Sequence, residues 1–138
     1  MRNYLDAIEQ HSHECLEDLD GLAVMAEQRT FTRIEGRAAE RVLQVLIVAC
    51  VGVAKYWLKA ENKHLPLDAY DSFNKLAELQ KISRVDLQQW RQVIGMRNAL
   101  VHDYLTIDSE LLQTVIAEQS YQFLGDFIVK ARQELSCT

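Results

Sequence analysis

At 138 residues the chain has the length of one ordinary domain, enough to bury a real core without disulfide staples. Apolar residues at 49% and charged residues at 25% match a globular protein, while one proline and five glycines supply too few turns for a sandwich or barrel. A net charge of -5 and a pI near 5.3 exclude a broad, non-specific grip on nucleic acid, although a local basic cleft stays compatible with them.

Taken in chain order, residues 2–29 carry Leu5, Ile8, Leu16, Leu19, Ala23 and Ala26 on a helical period with acids between them, which predicts an amphipathic helix. Thr32 to Ala60 predicts a second helix. Its apolar run from Val42 to Leu58 is interrupted by Gln44 and Lys55, so it reads as a buried core helix rather than a membrane span. After the loop closed by Pro66, the Asp68/Asp71 pair resembles a capping box and opens a short helix through about Gln80. Ser83 and Asp86 repeat the pattern before a fourth helix, Asp86 to Val101 or His102. Asp108 is placed to cap a last helix, Ser109 to about Leu135, with Leu112, Val115, Ile116, Leu124, Phe127 and Ile128 on its apolar side. No segment alternates with period two. The expectation is a single domain over 1–138, an all-α, up-and-down bundle of four to five helices.

Cys15, Cys50 and Cys137 show no C-x-x-C spacing and read as thiols of a reducing compartment. "MRNYLDAIEQ" is charged and amphipathic rather than a signal peptide, so a cytoplasmic protein with no membrane role is expected. His11, His13 and Cys15 step about 200° apart on a helix and cannot share one metal ion by themselves. No P-loop, GxGxxG or CxxC pattern occurs, so neither a metal nor a cofactor is expected, and Trp57 and Trp90 read as core or seam anchors. Arg29, Arg33, Arg37 and Arg41 recur every four residues and make a basic stripe. The stripe is either a track for phosphate or for an acidic partner surface, or a solvated face paired with Glu27, Glu35 and Glu40.

The stretch "MRNALVHDYLTID" concentrates polar chemistry among apolar residues. On an ideal helix Arg97 and Tyr104 lie about 20° apart, Asn98 and His102 form an i,i+4 pair, and Arg97 and His102 are roughly 140° apart. One regular helix cannot converge all of them on a small ligand. Either the helix ends or distorts near His102, or a second copy completes the site.

"RNALVHDY" fits the R-x-x-x-x-H-x-Y pattern and resembles HEPN-domain ribonucleases, specifically the HepT toxins of HEPN/MNT toxin–antitoxin pairs. The likeness runs along nearly the whole chain, through "RAAERVLQVLIVACVGVAKYW", "YDSFNKLAEL" and "WRQVIGMRNALVHDYLTID", with no departure at the three signature positions. The resemblance implies a HEPN-like fold and a homodimer whose signature helices face each other across a composite cleft. It further implies metal-independent endoribonuclease action, with Arg97 and His102 catalytic and Asn98 supporting them. It also implies a type II/VII-like pairing with an MNT nucleotidyltransferase antitoxin that transfers AMP to Tyr104. The chemistry suits these side chains: an imidazole titrates in the range for general acid–base work, and a guanidinium fork matches phosphate oxygens. Two other classes of function fit the same residues. One is a non-catalytic substrate-binding or regulatory subunit of a nucleotidyltransferase; the other is a helical interaction module docked through its arginines.

Overall fold

The computed structural model describes residues 2–102 and 109–136. Among them the chain forms six helices and no strand: α1 (Arg2–Gln28), α2 (Arg33–Ala60), α3 (Ala69–Glu78), α4 (Arg84–His102), α5 (Ser109–Ala117) and α6 (Gln122–Ser136). The all-α expectation holds.

Helix starts follow local chemistry. Thr32 caps α2 with a full capping box: its Oγ1 accepts from the Glu35 N–H at 3.1 Å, and Glu35 Oε1 accepts from the Thr32 N–H at 2.9 Å. Asp68 caps α3 by accepting from the Tyr70 N–H at 2.7 Å, while Asp71 sits in the first turn without closing a box. Ser83 Oγ accepts from the Asp86 N–H at 3.0 Å, so α4 begins two residues earlier than its first acid suggested. Asp108, read as the cap of the last helix, lies outside the described residues.

Helix ends follow a different rule. Asn62, Gln80 and Gln119 each adopt left-handed backbone, with φ of 58°, 60° and 56°. At each, the next residue's N–H reaches back five positions, as in Lys63 to Leu58, Lys81 to Leu76 and Ser120 to Val115 at 3.0, 2.9 and 3.1 Å. These are Schellman endings built without glycine. The one at Gln119 divides the single last helix expected from periodicity into α5 and α6. Tyr121, 1% exposed, fills the corner, and its hydroxyl donates to Asp20 Oδ1 on α1 at 2.6 Å. Burial, followed by that hydrogen bond, pushes the Tyr121 phenol well above its ordinary range, so it stays a donor.

The core is organised around α2, which touches all five other helices. By length and composition α2 could cross a membrane, yet 56% of its most apolar window is buried inside the bundle. Leu43, Leu46, Ile47, Cys50, Val53, Trp57 and Leu58 supply its buried side. Below them, Phe73 of α3 stacks on Trp90 of α4 at 3.9 Å, and Phe127 of α6 meets Trp90 edge-on at 5.0 Å. Trp57 and Trp90 are therefore core anchors. Gly125 lets α6 approach α1 closely, since a Cβ there would sit 2.6 Å from Leu16 Cδ1. Cys15 and Cys50 are free, buried thiols; Cys50 donates weakly to the Leu124 carbonyl at 3.4 Å, and burial raises its pKa well above the usual thiol range. Cys137 lies outside the described residues.

Candidate active site at the end of helix α4

The inner positions of α4 in its first half, Leu87, Trp90 and Ile94, are buried and anchor the helix in the aromatic core. Helical backbone then continues without interruption through His102. Positions 97 and 102 thus share one helix, of which His102 is the last residue. Five residues of regular helix put positions 97 and 102 about 140° apart and about 7.5 Å along the axis. These two positions therefore fall on different sides of one regular helix.

Arg97 is half-buried, and its Nη1 donates to Asn98 Oδ1 at 3.3 Å. Its Nε is fully buried and has no partner among the described residues. A buried donor without an acceptor costs about 1–3 kcal/mol, so this guanidinium is under-satisfied among the described residues and suited to an incoming oxygen acceptor. Asn98 is exposed and accepts from Arg97, while its i,i+4 neighbour His102 has its side chain outside the described residues. The side chain of His102, together with Asp103 and Tyr104, lies outside the described residues. Among the described residues no group of three or more His, Cys, Asp or Glu could hold a metal ion. His13 instead pairs with Glu17 at 3.1 Å.

The arginine stripe is divided between two grooves. Arg29, Arg33 and Arg37 line a cleft of about 1110 Å³ between the α1–α2 corner and the first turns of α5. Arg41, one turn further along α2, lines a separate groove of about 350 Å³ with Tyr4 and His11. Arg33 to Arg41 drift about 80° around α2 in two four-residue steps, while Arg29 lies in the bend before that helix, so the four arginines do not form one helical face. Arg29 is also committed: its two terminal nitrogens grip Glu35 at 2.6 and 2.7 Å. That fork, helped by the Thr32 N–H, holds the Glu35 carboxyl at about 2, and Arg29 is raised in turn.

Sequence reasoning missed Gln113. Its Nε2 donates to the Ala26 and Arg29 carbonyls at 3.1 and 2.7 Å, and its Oε1 accepts from the Phe31 N–H at 2.9 Å. One α5 amide thereby ties down the whole α1–α2 corner. No local signal marks this residue, because its partners are more than 80 positions away.

Comparison with known proteins places this geometry. The chain is 26% identical over 81 residues to the mRNA nuclease HepT of Shewanella oneidensis; the match covers 59% of this chain and 61% of that protein, about three fifths of its length. Among solved structures, a tri-AMPylated HEPN toxin from Shewanella oneidensis in complex with MNT antitoxin superposes with a TM-score of 0.85 at 19% identity, covering 96% of this chain and 99% of that one. A cytosolic protein of unknown function, YutE of Bacillus subtilis, superposes with a TM-score of 0.70 at 19% identity, covering 91% and 89%. The family model for ribonuclease HepT-like proteins matches residues 3–131, nearly the full chain and including the signature stretch. The chain belongs to the HepT-like ribonuclease family.

Proposed function

We propose that the chain is the toxin of a HEPN/MNT toxin–antitoxin pair and cuts RNA as a homodimer through a composite site of Arg97 and His102. The observation that carries this reading is the half-buried Arg97, with its Nε unmatched among the described residues, on a helix that runs unbroken to His102. Two such helices face to face would bring the arginine of one copy near the histidine of the other, which one copy alone does not achieve. The family match and the curated relative's nuclease activity support the same assignment.

The reaction that these groups suit needs no metal ion. A ribose 2′-oxygen attacks the adjacent phosphorus while an imidazole takes its proton. Negative charge grows on the phosphoryl oxygens, where the Arg97 fork donates hydrogen bonds. The bond from phosphorus to the 5′-oxygen breaks, that oxygen receives a proton from an imidazolium, and a 2′,3′-cyclic phosphate remains. The two histidines of a dimer would supply a base and an acid. Asn98, bonded to Arg97 Nη1, orients the guanidinium.

Neutralisation follows from Tyr104. The phenol oxygen attacks the α-phosphorus of ATP on an MNT nucleotidyltransferase, the bond to the β-phosphate oxygen breaks, and pyrophosphate leaves. AMP on Tyr104 adds negative charge and bulk two positions from His102, and both oppose RNA entry.

The test is cleavage of RNA in EDTA by the unmodified chain, with product ends mapped. His102→Ala and Arg97→Ala are each expected to lower the rate roughly 100- to 10,000-fold without changing the fold. Robust cleavage by His102→Ala would remove histidine from the mechanism. No cleavage by well-folded wild type on several RNA classes would favour the non-catalytic subunit that presents Tyr104.

A further inference from the structure

We infer that the cleft at the α1–α2 corner is the docking groove for the nucleotidyltransferase partner rather than a track for RNA, with Arg33 and Arg37 as its anchors. This rests on the partner reading above and assigns the partner a place.

Charge decides between the two macromolecules. An RNA track needs an excess of cations over its length. Here Arg29 is neutralised by its fork to Glu35. Arg33 and Arg37 remain, and Glu27, Glu40 and Glu110 line the same cleft. Arg37 lies close enough to Glu40 to oppose the burial that raises its pKa. A groove with both signs interleaved offers little net attraction to a polyanion, yet it can match a protein surface of complementary pattern.

Apolar groups share the lining: Ala26 and Phe31, both half-buried, stand beside the arginines. Such groups gain nothing from phosphate, whereas aromatic side chains and arginine are enriched at protein interfaces.

The groove is also preorganised. Gln113 bonds three backbone groups of the corner, and the Glu35 box and fork fix the first turn of α2, so a partner would not have to order this wall. Its far wall begins at Ser109, five residues from Tyr104, a chain distance of at most about 18 Å. A nucleotidyltransferase seated here stays within reach of the tyrosine it modifies.

The experiment uses the full chain and an MNT-type nucleotidyltransferase co-expressed with it. Binding is measured by calorimetry, AMP incorporation by mass spectrometry, and RNA cleavage on chain freed of the partner. Arg33→Glu combined with Arg37→Glu is expected to weaken partner binding about 10- to 100-fold and to slow AMP transfer at limiting partner. RNA cleavage by the free chain should stay at the wild-type rate. The milder Arg33→Ala/Arg37→Ala pair should follow in the same direction, which guards against a folding artefact of charge reversal. Unchanged partner affinity overturns the groove, and loss of RNA cleavage with intact partner affinity makes the cleft an RNA track. Wild-type chain that binds no such enzyme sinks the partner reading and this inference with it.

Discussion

Helix α4 has two halves with opposite surroundings. In the first, Leu87, Trp90 and Ile94 face inward at 6%, 0% and 5% exposure, and Trp90 is gripped by Phe73 and Phe127. In the second, Met96 and Arg97 are half-buried, and Asn98 and Ala99 are exposed. Nothing in the backbone separates them, since both belong to one uninterrupted helix. The comparison teaches how a small bundle positions partly buried polar groups. The aromatic end fixes the helix direction, and Met96 and Arg97 beyond it are only partly covered. Under-satisfied polar groups can then be tolerated where they would otherwise cost stability.

Trp90→Ala should break the anchored half most severely. Losing a fully buried indole from the stack is expected to cost about 3–5 kcal/mol, a large share of the ~5–15 kcal/mol that holds a domain folded, read by urea denaturation. Arg97→Ala at the other end should shift the same curve by less than about 1 kcal/mol. If the two variants unfold at similar denaturant concentrations, the division of labour along α4 is wrong.

A smaller effect is expected at the corner between α5 and α6. Tyr121→Phe removes the donor to Asp20, which keeps Gln122 Nε2 at 3.2 Å, and should cost about 1–2 kcal/mol. Faster amide exchange around residues 118–121 in that variant would sharpen the view that this latch, rather than local preference, breaks the last helix. Gly125→Ala pushes a Cβ against the tip of Leu16, a side chain that can turn aside, so a loss of about 1 kcal/mol is expected in thermal unfolding.

The smallest effect concerns pH. Glu35 is held at about 2, below its ordinary 4.5, so its contribution is fully present above that ordinary value and is lost as pH falls toward 2. An NMR titration of the Glu35 carboxyl should find its midpoint near 2, and Arg29→Ala should move that midpoint up. A midpoint near the ordinary value in wild type would show that the Arg29 fork does not persist in solution, and the α1–α2 corner would be less rigid than the α4 anchor.

Much of the fold was legible residue by residue. Thr32, Asp68 and Ser83 announced three helix starts, because a capping side chain needs only the next two or three backbone N–H groups. The all-α class and the buried character of α2 followed from periodicity and from the shortage of glycine and proline. The break at Gln119 was not legible, since a Schellman turn usually advertises itself with glycine and here carries glutamine.

The candidate site divides along the same line. Arg97, Asn98, His102 and Tyr104 were picked out from one short stretch, because their residue types and spacing are properties of the chain itself. The sequence by itself thus determined where helices begin, which side of each is apolar, and which residues carry the signature. Only the tertiary structure decided that the last helix bends so that Tyr121 can reach Asp20, that Gln113 holds a corner more than 80 residues away, and that Arg41 parts from the other arginines. The physical reason is range. Caps and periodicity act within a turn or two of helix, whereas these contacts exist only once α1, α2 and α5 pack together.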